Sequence, residues 1–148
     1  VGSSRSGGSP SQLTSIFLVE LLKSGWLQNN IYTRLQPEYS ERYRLMSDAL
    51  HKYAIPLGCR MSVPDRYMGG YFIWLALPKG IDGDELAALC KAKEDLTIIS
   101  GSAFEVPCKD RMRHKDHVRL CFSWEDKTLI EEGVRRLAAV LEKLQNSN

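Results

Sequence analysis

The stretch "GGYFIWLALP" limits the fold of this 148-residue chain more than any other, because Tyr71, Phe72, Ile73, Trp74, Leu75, Ala76 and Leu77 follow one another without a polar break. A strand sends successive side chains to opposite faces, so an unbroken apolar run predicts a central strand covered on both sides. A second strand follows from "HVRLCFSW", where alternation sends Val118, Leu120, Phe122 and Trp124 to a core face. The other face of that strand carries His117, Arg119, Cys121 and Ser123. Two shorter segments, "CRMSV" and "LTIIS", complete the expected strands.

Helices surround these strands. The first is expected from about residue 10 to 24, with Ser9 as cap, Pro10 in the first turn, Gln12 at capping-box spacing and Gly25 as the stop. Its apolar positions are Leu13, Ile16, Phe17 and Leu21. A longer helix is expected over "NNIYTRLQPEYSERYRLMSDALHKY", facing Ile31, Leu35, Tyr39, Met46 and Leu50 inward and Arg34, Glu41 and Arg42 outward. Pro37 lacks the amide hydrogen that a helix interior uses, and should kink it. A short helix should start at Asp82 and bury Leu86, Leu89 and Cys90. A closing helix from about Asp126 or Thr128 to Leu144 places Ile130, Val134, Leu137, Leu141 and Leu144 on one side. Gly133 weakens that helix and suggests close packing. Together these give an α+β fold: a small, mostly antiparallel sheet with covering helices, preceded by a long kinked helix.

Composition excludes several functions. Lys and Arg exceed Asp and Glu by only two, which gives no general footprint for nucleic acid, and no apolar run is long enough to span a membrane. The start, "VGSSRSGGSPSQ", has neither an initiator methionine nor a signal-peptide core, which reads as a fragment of something longer. The four cysteines form no CxxC pair and read as reduced thiols. Cys108, His114, His117 and Cys121 are separated by 5, 2 and 3 residues, which matches no standard zinc spacing, so no metal is expected.

Local motifs narrow the chemistry further. "GSSRSGGSPSQ" offers hydroxyls, glycines and a helix start that could hold a phosphate, but matches neither GxGxxG nor GxxxxGK[ST]; a loop and helix cap are the plainer reading. "KDRMRHKDHVR" holds five basic residues against two acidic ones, and without interleaved aromatics it reads as a solvated loop entering a strand. No GxSxG occurs, and His51, His114 and His117 have no serine or cysteine context for a nucleophilic set. Glu131 and Glu132 read as solvent-facing helix residues. Arg119 remains. A guanidinium beside small residues on a half-buried face needs an anion, and cannot discharge itself by losing a proton. That anion is either a ligand carboxylate, whose two oxygens fit the guanidinium fork, or a structural partner such as Asp95 or Glu105.

The stretches "GGYFIWLALP", "DGDELAALCK", "LTIISGSAF", "HVRLCFSW" and "IEEGVRRLAAVLEKL", in this order and spacing, resemble the carboxyl-terminal part of class I/II aminotransferases, which are pyridoxal-phosphate enzymes of fold type I. "SGGSPSQ" and "YSERYRLMSDAL" extend the resemblance over nearly the whole chain. It implies that residues 1–27 close the large-domain region, 28–54 form the connecting helix and 55–148 form the small domain. It implies that Arg119 holds the α-carboxylate of an amino acid or 2-oxo acid substrate, and that Ser3, Ser4, Arg5 and Ser6 lie near cofactor and dimer interface. "SGSAF" departs from the family's usual proline-glycine pair, with Ser100 where proline is common. The family's cofactor lysine sits in a serine-rich motif upstream, and none of the nine lysines here has such a context. The resemblance thus implies a homodimeric parent enzyme, cytoplasmic or mitochondrial, that carries pyridoxal 5'-phosphate and of which this chain alone is inactive. Three alternatives share these features: a related pyridoxal-phosphate lyase or synthase, an aminotransferase-like regulator domain, and a non-catalytic binding module.

Overall fold

The computed structural model describes residues 11–61, 70–105 and 114–147. These fall into two compact units that divide between Glu38 and Tyr39.

In the first unit, helix α1 (Gln12–Lys23) begins at Ser11, whose hydroxyl accepts from the Thr14 amide. The expected cap, Ser9, and Pro10 lie outside the described residues. Gly25 follows with φ of 72°, a left-handed turn that glycine adopts without strain, and the chain re-enters a helix at α2 (Trp26–Asn30). No residue of α1 is buried, and Leu13, Ile16 and Phe17, expected to face inward, are exposed. A π-turn over Ile31–Leu35 then leads into α3 (Gln36–Tyr53). The wide turn lies where the Pro37 ring would crowd the carbonyl four residues earlier, and a π-turn relieves that crowding.

The second unit holds the core. Met46, Ala49 and Leu50 are the buried residues of α3. Glu41 and Arg42 do not simply face water: Glu41 accepts from the Lys127 ammonium at 2.8 Å, and Arg42 donates to the Glu125 carbonyl. Both tie α3 to the segment that starts the closing helix.

Four strands follow, β1 (Arg60–Met61), β2 (Phe72–Ala76), β3 (Ile99–Ser100) and β4 (His117–Cys121), in the spatial order β1-β2-β4-β3 with every pairing antiparallel. The apolar strand is thus interior, as its sequence predicts. Its two faces differ, however: Ile73, Leu75 and Leu77 are buried, whereas Phe72 remains 44% exposed and Trp74 and Ala76 are half-buried. A layer of rings described below lies on that second face near Arg119.

Between β2 and β3 lies α4 (Gly83–Glu94), capped by Asp82, which accepts from the Asp84 amide at 2.8 Å. Leu86 and Cys90 are buried there and Leu89 half-buried. The closing helix α5 (Ile130–Ser147) is preceded by one 3-10 turn capped by Asp126. It buries Ile130, Val134, Leu137, Leu141 and Leu144, the face its spacing predicts, against Leu50, Leu75, Leu86 and Val118. Each such side chain contributes roughly 1.5–3 kcal/mol relative to leaving it in water. A Cβ on Gly133 would meet only Leu96 Cδ1, at an ordinary 3.7 Å, so close packing does not account for that glycine. Trp124, assigned to the core face by alternation, is 85% exposed, because β4 ends at Cys121 and the chain bends over residues 122–125. No helix among the described residues is long and apolar enough to cross a membrane.

Candidate functional site

Arg119 stands at the middle of β4, opposite Trp74 of β2 on one side and Ile99 of β3 on the other. Directly paired residues in an antiparallel sheet point to the same face, so Arg119 shares its face with Trp74 and, one pair along, with Phe72. Its guanidinium carbon lies 4.0 Å from the Phe72 ring centroid and 4.7 Å from that of Phe104. Phe104 ends the 3-10 turn Gly101–Phe104, which follows β3. The cation is therefore flanked by rings from the chain segments on either side of its own strand.

A second layer of rings continues from there. Trp74 stacks on His117 at 5.5 Å with 22° between planes, and meets Phe104 and His114 edge-on at 5.8 and 5.7 Å. His114 and His117 also meet edge-on, at 5.7 Å, and His117 Nδ1 lies 2.7 Å from Asp116 Oδ1. Of the four residues weighed for zinc, the structure thus brings these two histidines together beside Trp74, and among the described residues no group of three or more His, Cys, Asp or Glu is placed to hold a metal ion. Cys108 lies outside the described residues, and Cys121 is exposed with its thiol 3.3 Å from the Ser123 hydroxyl.

The turn that carries Phe104 is anchored on both sides. Ser102 donates to Asp84 Oδ1 at 2.6 Å and approaches Ser100 Oγ at 3.1 Å. Those hydroxyls, Ser102 first, hold the Asp84 carboxyl below its ordinary pKa. Ser100 is the residue standing where the family commonly has proline, and its hydroxyl accepts from the Ser102 amide to open the turn. A Cβ on Gly101 would fall 2.3 Å from the His114 carbonyl oxygen, so the turn and the segment entering β4 are in backbone contact only glycine permits.

Two polar atoms in this neighbourhood are buried without a hydrogen-bond partner among the described residues, Arg119 Nε and His114 Nδ1. The structural partners weighed for Arg119 do not pair with it. Glu105 accepts instead from the His114 amide, and Asp95 ends α4 in a left-handed conformation with φ of 48°. An unmet buried donor costs about 1–3 kcal/mol, more when charged, unless something supplies an acceptor. The two phenyl faces attract the cation but accept no in-plane hydrogen bond, so neither ring satisfies Arg119 Nε.

A cofactor lysine needs a dry or electropositive pocket that favours its neutral form. No described lysine is buried, and Lys52 is instead tied to Glu131 at 2.8 Å, which raises its pKa. The described residues therefore do not fit the role of holding pyridoxal phosphate covalently. Ser3, Ser4, Arg5 and Ser6 lie outside the described residues. What sequence reasoning missed is the pair Phe72 and Phe104. Phe72 was legible as sharing a face with Arg119 once the strand register is known, whereas nothing in "SGSAF" announces that its phenylalanine turns back onto β4.

No protein-family model matches the chain. It is 35% identical over 139 residues, 94% of its length, to an uncharacterised protein of Saccharomyces cerevisiae, of which it covers 30%. It is 30% identical over 132 residues, 89% of its length, to the 2-aminoadipate transaminase of Thermus thermophilus, again covering 30% of that protein. Among solved structures it superposes on LysN, an α-aminoadipate aminotransferase of Thermus thermophilus complexed with N-(5'-phosphopyridoxyl)-L-leucine, with a TM-score of 0.70 at 29% identity, covering 87% of this chain and 30% of that one. The chain thus spans about 30% of the length of the curated relatives it matches.

Proposed function

From a chain that is aminotransferase-like in both sequence and fold, we propose a carboxyl-terminal small domain of a pyridoxal-phosphate-dependent aminotransferase. In this reading the whole protein moves an amino group between an amino acid and a 2-oxo acid, as a homodimer in the cytoplasm or mitochondrion, and Arg119 holds the substrate's α-carboxylate. The observation that carries the reading is the buried Arg119 Nε, which has no partner among the described residues although it belongs to a permanent cation. Pyridoxal phosphate would supply the electron sink of such a reaction. Its lysine is assigned to another part of the protein, so this chain's own share is to bind and orient the carboxylate, and alone it should not transaminate.

The test is steady-state kinetics of the native protein that carries this chain. Each charge-assisted hydrogen bond is worth about 1.5–3 kcal/mol, so removing the two-bond fork in Arg119→Ala should raise KM for the amino acid by more than about 100-fold. The cofactor's absorbance should remain. Arg119→Lys should recover only part of the loss, because a point charge does not replace a planar fork. Kinetics unchanged in Arg119→Ala would overturn the assignment.

A further inference from the structure

We propose that Phe72 and Phe104 are positioning residues that set the plane of the Arg119 guanidinium before a ligand arrives; this rests on the carboxylate role given to Arg119 above. An arginine has a long, freely rotating stem, and a ligand that must order it pays for that loss in affinity. A guanidinium already drawn onto aromatic faces has lost much of that freedom in advance. The distances of 4.0 and 4.7 Å to the two ring centroids are within cation–π range. The rings come from opposite sides of β4, one from β2 and one from the turn after β3, so the guanidinium is restrained from both neighbours rather than leaning on one.

Core packing does not explain either ring. Phe72 is 44% and Phe104 46% exposed, in a molecule whose core residues, such as Leu75 and Val118, are fully buried. Both rings are instead where their faces meet the cation, and neither can take up the hydrogen bond that Arg119 Nε lacks. Phe104 is itself held edge-on by Trp74 at 5.8 Å, and its turn is fixed by Ser102 on Asp84, so the restraint is passed to Arg119 from a fixed support.

The experiment measures Kd for 2-oxoglutarate and phenylpyruvate by calorimetry on the native, cofactor-loaded protein, with KM and kcat for its best amino acid alongside. Phe72→Leu and Phe104→Leu should each raise Kd and KM about tenfold, with kcat within about twofold of wild type. Phe72→Tyr and Phe104→Tyr should restore binding, because they keep the ring face. In an Arg119→Ala background the leucine changes should cost nothing more, since their effect runs through the guanidinium. Unchanged Kd in both leucine variants, with Arg119→Ala still crippling, would overturn the positioning role and leave the carboxylate role standing. Failure of the tyrosine variants to restore binding would also overturn it, as would loss of folding in both leucine variants, because the rings would then be structural supports. If Arg119→Ala itself leaves Kd unchanged, the carboxylate reading falls and the positioning role with it.

Discussion

Gly101→Ala is the smallest change that should disturb both the fold and the site. The added methyl would sit 2.3 Å from the His114 carbonyl oxygen, 2.9 Å from His114 Cβ and 3.1 Å from His117 Cβ, where ordinary contact begins at 3.4 Å. The backbone must therefore give by about 1 Å. It has little room to do so, because the same segment is also held by α4: the Gly83 amide donates to the Lys115 carbonyl at 2.6 Å, and a Cβ on Gly83 would meet the His117 carbonyl oxygen at 2.7 Å. Overpacking of this kind costs about 1–3 kcal/mol. The lower entropy of the unfolded alanine chain returns only about 0.5 kcal/mol. A net loss near 1.5 kcal/mol corresponds to a drop in Tm of about 6 °C for a domain of this size, at roughly 4 °C per kcal/mol. Urea unfolding gives the free energy, and near-ultraviolet circular dichroism should report loosening around Trp74, whose neighbours His114, His117 and Phe104 all lie on or beside the displaced segments. A Gly101→Ala protein that unfolds at the wild-type midpoint would refute the reasoning, because the close approach could not then be a property of the folded chain.

The converse holds for Gly133→Ala, where a Cβ finds 3.7 Å to Leu96 and the helix gains a better former; it should stabilise by about 1 kcal/mol in urea unfolding, and destabilisation would show that the helix is tighter than its contacts imply. Acid should destabilise the fold through its paired carboxylates. The Arg135 and Arg136 guanidiniums hold Glu132 down to about 2 from an ordinary 4.5, and Glu41, Asp84, Asp126 and Glu131 are also lowered by their partners. Because the folded values lie below the unfolded ones, this stabilisation is complete above pH 4.5 and is lost as pH falls toward 2, so Tm should be level above that range and drop through it. Glu132→Gln should make the drop shallower; an identical profile would remove Glu132 from the account.

Most of the fold could be read from the chain because its burial follows two simple periods. The face Ile130, Val134, Leu137, Leu141 and Leu144 repeats at helical spacing and is buried as a unit. Val118, Leu120 and Phe122 alternate and are buried likewise. The failures occur where periodicity stops being informative. Trp124 continues the alternation in sequence, but β4 has already ended at Cys121, and strand ends are set by partners rather than by hydropathy. The apolar face of α1 reads as core and is exposed, since a pattern shows that a face can be buried but not what buries it. At the site, Arg119 stood out because a cation on a strand face demands explanation. Its phenyl neighbours did not, because Phe104 reaches it only through a turn whose geometry depends on Gly101, Ser100 and Ser102.

The strand order β1-β2-β4-β3 also has a consequence measured in time. Ile73 pairs with Leu120 and Ala76 with His117, so the apolar β2 waits more than forty residues for its inner partner. At about 5–20 residues per second, a ribosome takes roughly 2–9 seconds to deliver it. Throughout that interval β2 has only the two-residue β1 to pair with among the described strands, and its inner edge is an open template for another chain. β4 closes that edge and the facing edge of β3 in a single step, so the arrival of residues 117–121 completes the sheet. A nascent chain stalled before His117 would carry the inner edge of β2 unprotected.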